Sequence, residues 1–263
     1  MASTDAAFQQ GGSPVRQGSV SFLGLDFDML GPAEADAWLC ARGDDSPFAY
    51  VVTPNVDHLV RLEKAGEPVR QAYADADLCL CDSRVLARLA KLCGVELKVV
   101  TGSDLVARLF ASVLRDGDSV LVVGSADDAI TALRTRFPRF RILHHEAPMG
   151  LRDDPDARAR VAQAAAAAGA RIILLAIGSP QQELIASAMK VGGDAHGTAL
   201  CIGASIDFLT GAQTRAPRFV QRAGFEWAWR LASDPRRLFR RYLVEGPAIF
   251  AMAWEWRQHR RGR

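Results

Sequence analysis

One acidic residue of this sequence stands where a carboxyl group could exchange a proton. Asp82 directly follows the short apolar run Leu78–Cys81, "LCLC". Burial raises the pKa of a carboxyl group because it disfavours the charged form, so this position suits a general acid or base. The alternative is structural, since Asp82 could instead cap the helix predicted over "SRVLARLAKL".

Three other apolar runs also end in polar side chains. Thr53 and Asn55 follow "FAYVV", Gln182 and Glu183 follow "IILLAIGSP", and Asp207 follows "TALCIGASI". Asn55 could bind a ligand or cap a helix. Gln182 and Glu183 could line a pocket or act as first-turn residues that interact favourably with the helix dipole. Asp207 has the same two interpretations.

Two glycines complete this set of run ends. Gly124 closes "SVLVV" and precedes Ser125 and a predicted helix, so backbone amides there could hold an anion or a ribose. A plain capping loop explains the same pattern equally well. Gly178 closes "RIILLAI" in the same way.

The elements that must position these residues alternate along the chain. Short, almost continuously apolar runs predict buried strands, and helical stretches separate them. We therefore predict an α/β fold, a Rossmann-like parallel sheet with helices on both faces, over residues 20–212. Within it, a helix is predicted to open at Ser103-Asp104 as its N-cap, and the last strand to span "TALCIGASID". Ligands of such sheets bind at the carboxyl ends of the strands, which is where the polar residues above fall.

Several common chemistries find no support. No G-x-G-x-x-G, G-x-x-x-x-G-K-[ST] or G-x-S-x-G motif is present. The five cysteines lack zinc-site spacing and are predicted to be reduced thiols. Four D-x-D triplets could hold a divalent ion, but they fall mostly in loops or amphipathic segments, as a chain with 30 acids produces by chance. We therefore predict neither a metal nor another cofactor.

The charge of the chain is unevenly distributed. Its net charge is +2, yet residues 215–263 contain twelve arginines, no lysine and four acids. Four of the five tryptophans also lie there. We predict a basic helical appendage over residues 213–263, with an anionic membrane surface as its partner. A subunit interface, and hence a homo-oligomer, is the alternative. Nucleic acid is not favoured, because the rest of the chain is acidic and would repel it.

The beginning of the chain and its apolar runs bear on location. Residues 1–19 are polar and rich in Gly and Ser, which predicts a disordered tail rather than a signal peptide. No uncharged apolar run reaches the ~18 residues that a membrane span requires. These features predict a cytoplasmic protein.

Taken together, the motifs resemble one known family. Their order and spacing over residues 20–245 are similar to those of the WecG/TagA/CpsF glycosyltransferases. The resemblance rests on "TPNVDHL", "DSRVLARLAKLCG", "VTGSDLV", "VLVVGS", "AIGSPQQE" and "CIGASIDFLTGAQTRAPRFVQRAGFEWAWRLASDPRRLFRRYL".

The resemblance implies an activity and its partners. Members transfer a hexose-type sugar from a UDP-sugar to a monosaccharide linked through diphosphate to a polyprenol, by an inverting, metal-independent mechanism. Their basic C-terminal appendage closes the site and binds the membrane. Asp82 matches the proposed general base, with Thr53 and Asn55 in its Thr-x-Asn pocket motif.

The resemblance also implies binding residues. Gln182 and Glu183 match the family's Pro-x-Gln-Glu, and Asp207 matches a late strand-end Asp. A transfer without a metal needs fixed cations for the leaving diphosphate, and the forked donors of arginine suit phosphate. The candidates include Arg215, Arg230 and Arg237.

Two departures from the family pattern bear on the donor sugar. The family commonly has glycines after the catalytic Asp, where this chain has Ser83 and Val85, and an Arg where it has Val99. These departures resemble the exopolysaccharide branch that serves xanthan assembly, and they favour UDP-glucose as donor and a β-1,4 linkage. An N-acetylmannosaminyltransferase is the alternative, and a non-catalytic nucleotide-sugar-binding subunit is the alternative of another class.

Overall fold

A computed structural model describes residues 18–43, 46–214, 216–217, 219–220 and 224–261. Most of the predicted N-terminal tail, residues 1–17, lies outside the described residues.

The described chain begins with an antiparallel hairpin that strand–helix alternation did not predict. Strands β1 (Ser19–Phe22) and β2 (Leu25–Asp28) pair through the turn at Leu23-Gly24 and lead into helix α1 (Pro32–Cys40). Phe22 and Phe27 are fully buried in the core. Asp28 Oδ2 accepts a hydrogen bond of 2.7 Å from the Cys79 backbone N–H, which attaches the hairpin to the main sheet.

The main sheet has six strands, and all of them are parallel. They are β3 (Ala49–Val52), β4 (Leu78–Cys79), β5 (Ser119–Gly124), β6 (Arg141–His145), β7 (Ile172–Ala176) and β8 (Thr198–Cys201). Their order across the sheet is β4-β3-β8-β7-β5-β6. The central strands β3, β7 and β8 are buried almost throughout, because helices cover both faces. The predicted α/β parallel sheet is therefore confirmed.

Helices connect the strands and cover two apolar clusters, one on each face of the sheet. Within the core they are α2 (Val56–Glu63), α3 (Glu67–Ala74), α4 (Arg84–Leu92), α5 (Gly102–Arg108, continued by a π-helical turn at Leu109–Val113), α6 (Asp127–Arg136), α7 (Pro155–Ala167), α8 (Gln181–Gly192) and α9 (Ser205–Thr210).

Two predicted boundaries are wrong. Helix α5 is capped by Thr101, not at Ser103-Asp104, because Thr101 Oγ1 accepts from the Asp104 N–H at 3.2 Å and donates to the Asp104 carboxylate at 2.8 Å. The last strand ends at Cys201 and not at Asp207. Asp207 instead lies in the first turn of α9, because the chain turns through Gly203 directly after the strand.

Among the described residues after the core, three further helices are present. They are α10 (Glu226–Ser233), α11 (Pro235–Phe239, continued by a π-helical turn at Arg240–Glu245) and α12 (Ala248–Arg261). Helix α12 buries Ile249 and Met252, and its Trp256 ring contacts Phe22 edge-on at 5.1 Å between centroids. In the part of the chain that the structure describes, no helix combines the length and apolarity needed to cross a bilayer.

One glycine lies close to the backbone directly before β7, and this close approach leads to a stability prediction. Gly197 has φ +78°, and a Cβ there would lie 2.5 Å from Ala170 O and 2.6 Å from Arg171 O. Gly193 has a similar φ of +77° but open space around it. We expect Gly193→Ala to lose roughly 1–2 kcal/mol of unfolding free energy, from backbone strain alone. Gly197→Ala should lose clearly more, because the added methyl group would also collide with the carbonyl oxygens of Ala170 and Arg171 at the start of the neighbouring strand.

Chemical denaturation of both variants against the unchanged protein measures this difference. Equal losses would show that the close approach is relieved without cost.

Candidate active site

The site is assembled where neighbouring strands of the sheet end. The Asp82 backbone N–H donates to Pro54 O at 3.0 Å, which joins the ends of β4 and β3. Thr53, itself buried, donates from Oγ1 to Cys201 O at 3.1 Å, which joins the ends of β3 and β8. The predicted residues Thr53, Asn55 and Asp82 therefore lie together at the carboxyl edge of the sheet.

Asp82 does not cap the helix that follows it. The cap of α4 is Ser83, whose Oγ accepts from the Leu86 N–H at 3.1 Å. The Asp82 carboxyl is thus left to the site. Burial raises its pKa to about 7, with Glu226 and Asp104 acting in the same direction. Arg230 and a hydrogen bond from the Gly102 backbone oppose this rise in the pKa.

Gly102 borders the Asp82 carboxyl. The sequence analysis included it in the motif "VTGSDLV" but did not predict it as a site residue. A Cβ at Gly102 would lie 3.1 Å from Thr53 Oγ1, 3.4 Å from Ser205 Oγ and 3.7 Å from Asp82 Oδ2. Three side-chain oxygens thus converge on the space that the absent side chain leaves. A glycine directly after the Thr101 cap is the sequence signal that could have marked this position.

Asn55 caps helix α2, as one of its two interpretations predicted. Its Oδ1 accepts from the Asp57 N–H at 3.1 Å at the start of α2. The cap uses only the carbonyl oxygen of the side chain. The Nδ2 group can therefore donate to a ligand at the same edge of the sheet.

Gln182 and Glu183 form a buried polar pair behind this edge. Gln182 Oε1 accepts from the Gly203 N–H at 3.0 Å, and its Nε2 donates to Glu183 Oε1 at 2.8 Å. Glu183 is fully buried, and burial raises its pKa. The pair is thereby connected to the loop after β8.

The remaining predicted core positions make contacts at other strand and helix ends. Gly124 (φ +85°) packs where β5 ends, since a Cβ there would meet Ile177 Cγ2 at 2.6 Å. Gly178 accepts from the Gln182 N–H at 3.1 Å and opens α8. Asp207 accepts from Gln213 Nε2 at 3.0 Å and so braces the chain that follows α9.

One arginine of the appendage reaches the Asp82 region. Arg230 on α10 pairs with Glu226 at 2.8 Å, and its guanidinium lies 4.8 Å from the centroid of the Phe208 ring. Its Nε is buried and has no hydrogen-bond partner among the described residues. Of the other predicted arginines, Arg215 and the side chain of Arg237 lie outside the described residues.

A second contact between appendage and core was not predicted. Asp57 on α2 is buried and forms ion pairs with Arg61 and, at 3.0 Å, with Arg241 from the π-helical turn after α11. Burial, together with the charge of Arg241, lowers the pKa of the neighbouring His58 to about 3. His58 is therefore neutral at pH 7.

Metal ligands do not cluster in the described ranges, where no three His, Cys, Asp or Glu side chains come together as a metal site would require. His144 Nε2 donates to Gly124 O at 3.0 Å, and its Nδ1 lies 3.4 Å from Asp127 Oδ1.

The pKa of Asp82 leads to a pH-dependent prediction. The folded protein keeps a proton on Asp82 up to about pH 7, whereas an ordinary aspartate loses it near 3.8. Stability therefore falls as pH rises through this window, because the unfolded chain releases the proton more easily. We expect the unfolding free energy of Asp82→Asn to rise relative to that of the unchanged protein between pH 4 and pH 7. Above pH 7 the difference between the two free energies should stay constant.

Thermal unfolding over that pH range measures the difference. Asp194→Asn, which changes an exposed carboxyl, is the control and should follow the unchanged protein. A difference for Asp82→Asn that does not vary with pH would contradict the raised pKa.

Comparison with known families agrees with this geometry. The model of the Glycosyl transferase WecG/TagA/CpsF family matches residues 20–263, which includes every strand end described above and the three C-terminal helices. Because the match spans nearly the whole chain, the protein belongs to the WecG/TagA/CpsF family, and it is a glycosyltransferase of the kind that acts on lipid-linked sugars.

Proposed function

We propose that the protein transfers glucose from UDP-glucose, with inversion and without a metal, to a monosaccharide linked through diphosphate to a polyprenol. The observation that carries this proposal is the position of the Asp82 carboxyl, which does not cap α4 and borders Gly102 at the carboxyl edge of the sheet. Burial raises its pKa to about 7, and the charge of Arg230 from the appendage opposes this rise. Asp82 can accept the proton of the acceptor hydroxyl, and Arg230 can stabilise the negative charge of the leaving diphosphate.

In this mechanism Asp82 is the general base. Its carboxylate takes the proton of the acceptor hydroxyl while that oxygen attacks the anomeric carbon of the donor. The bond from that carbon to the β-phosphate oxygen breaks, and UDP leaves with the bonding electrons. Because attack and departure occur on opposite faces of the sugar, the anomeric configuration inverts.

Arg230 provides fixed positive charge for the leaving group. Its Nη2 is held by Glu226, while its buried Nε has no partner among the described residues. A buried donor of this kind is costly unless a ligand uses it. Binding of the UDP diphosphate supplies the missing acceptor, and no metal is needed for this step.

The choice of glucose as the donor sugar rests on positions close to Asp82 where this chain differs from the family pattern. Val99, at the position of a family Arg, pairs with Cys81 beside the Asp82 strand, and Ser83 is the cap of α4. We propose that these changes adapt the pocket to UDP-glucose and a β-1,4 linkage, as in the second glucosyl transfer of xanthan-type exopolysaccharide assembly.

We also propose peripheral binding to the cytoplasmic face of the membrane. The appendage exposes Phe239, Leu243, Val244, Phe250 and Trp254 among its arginines. Apolar side chains beside cations are the pattern of interfacial helices on anionic bilayers.

A donor screen tests the proposed reaction. The full chain is incubated with a glucosyl-diphospho-polyprenol and, in turn, UDP-glucose, UDP-N-acetylmannosamine or UDP-glucuronate, with and without EDTA. We expect a β-linked glucose disaccharide on the lipid, unaffected by EDTA. Asp82→Asn should lower kcat by about 10²–10⁴ because it removes the base.

The outcomes separate the alternatives. Transfer of N-acetylmannosamine in place of glucose would assign the other donor. UDP-sugar binding without any transfer, or transfer unchanged in Asp82→Asn, would favour the non-catalytic subunit or remove Asp82 from the mechanism.

Gly102 allows a test of the pocket that leaves the base intact. We expect Gly102→Ala to change unfolding free energy by less than about 1 kcal/mol, because alanine suits a helix start. Turnover should fall, because the added methyl group enters the space beside Thr53, Ser205 and Asp82. Steady-state kinetics measure the loss.

Gly192→Ala is the matched control, since Gly192 also lies in a helix but has open space around it. Retained turnover in Gly102→Ala would show that this space is not used by the substrates.

A further inference from the structure

A cavity of about 240 Å³ lies beside the site without including Asp82. Helices α2 and α3 form one side of it, and the loops before α7 and α8 form the other. From α2 it receives His58, Arg61 and Leu62, which share one face of the helix because they are three and four residues apart.

The lining of the cavity combines two kinds of surface. Leu62, Val69, Pro180 and the ring of Tyr73 provide an apolar floor. Arg61 and Arg152 bring two guanidinium groups to the same cavity. An occupant that matches both surfaces has an apolar body and an anionic end.

The positive charge here exceeds what nearby acids neutralise. Asp57 is shared by Arg61 and Arg241, and Glu183 also interacts by charge with Arg61. Two acids thus face three cations, Arg61, Arg152 and Arg241. Arg61 also donates from Nη1 to Ser179 O at 3.2 Å, yet its buried Nε has no partner among the described residues. Arg152 is exposed and adds a further cation. His58 is neutral at pH 7 and leaves this excess to the arginines.

Two hydroxyl groups also border the cavity, and both hydrogen-bond to the buried Glu183. Tyr73 and Ser179 lie within hydrogen-bond distance of each other, 3.2 Å between their hydroxyl oxygens. The donors that suit a phosphate group are therefore the guanidinium groups of Arg61 and Arg152.

The cavity lies close to the strand ends that carry Asn55 and Asp82, and this position favours the acceptor as its ligand. His58 is three residues after the cap Asn55, which is about 4.5 Å along the axis of α2. Asp82 is in turn bonded to Pro54. Helix α2 also packs against α12 and the turn after α11, where Leu243 and Val244 are exposed. A long apolar chain leaving the cavity on that side would remain next to apolar surface.

We propose that this cavity binds the prenyl phosphate end of the acceptor. Arg61 and Arg152 hold the phosphate next to the lipid, the apolar floor receives the first isoprene unit, and the sugar extends towards Asp82. This inference rests on the proposed function, which supplies a polyprenyl diphosphate acceptor. The diphosphate of UDP shares the phosphate chemistry, but its neighbour is a ribose, which an apolar floor suits poorly.

Calorimetric titration of the full chain tests the assignment with three probes, farnesyl phosphate, inorganic phosphate and UDP. Arg152→Ala removes an exposed cation and leaves the buried ion pairs in place. We expect its affinity for farnesyl phosphate to fall about fivefold, as the loss of one solvent-exposed ion pair predicts. UDP affinity should not change, and inorganic phosphate should bind more weakly than farnesyl phosphate.

Two further variants serve as control and confirmation. Arg160→Ala removes an exposed arginine of α7 that is not part of the lining, and it should bind farnesyl phosphate as the unchanged protein does. Val69→Phe fills the floor and should weaken farnesyl phosphate more than inorganic phosphate.

The assignment is overturned if Arg152→Ala and Arg160→Ala bind farnesyl phosphate equally well, or if UDP displaces it competitively. These titrations need no turnover, so a failed donor screen would leave their result intact. In the transfer assay, Arg152→Ala should raise KM for the lipid acceptor and leave KM for the donor unchanged. Normal transfer with an unchanged acceptor KM would reject the cavity and retain the proposed function.

Discussion

Burial of the Asp82 carboxyl at the edge of the parallel sheet is the constraint on which the site depends. A charged carboxylate loses solvation there, and its pKa rises to about 7. Arg230 limits this rise, and it arrives from a helix far along the chain. The proton affinity of Asp82 is therefore set jointly by the core and by the appendage.

The appendage is attached to the core through charge as well as through apolar contact. Arg241 reaches the buried Asp57, while Trp256 packs on Phe22 of the first hairpin. A buried carboxylate with two guanidinium partners holds those groups in defined positions, because leaving any of them unpaired is costly. The same arrangement leaves excess positive charge beside α2, which is why an anionic group of the substrate suits that place.

Helix caps explain how reactive groups stay available at such a crowded edge. Ser83 and Thr101 satisfy the starts of α4 and α5. Asp82, one residue before Ser83, is thereby left to the site. Asn55 caps α2 through its carbonyl oxygen alone. The sequence analysis found the right segments but could not tell cap from ligand, because both roles use the same residue types at the same place.

The sequence by itself determined the parallel α/β sheet, the strand ends that carry Thr53, Asn55 and Asp82, and the family. Continuous apolar runs and turn residues are local signals, so they can be recognised in the sequence without knowledge of long-range contacts. Only the tertiary structure decided the hairpin's place on the sheet, the helix that carries Asp207, and the meeting of Gly102 with the Asp82 carboxyl. It also decided which arginine faces that carboxyl, because such contacts join residues distant in the chain, and their energies depend on burial that no local pattern encodes.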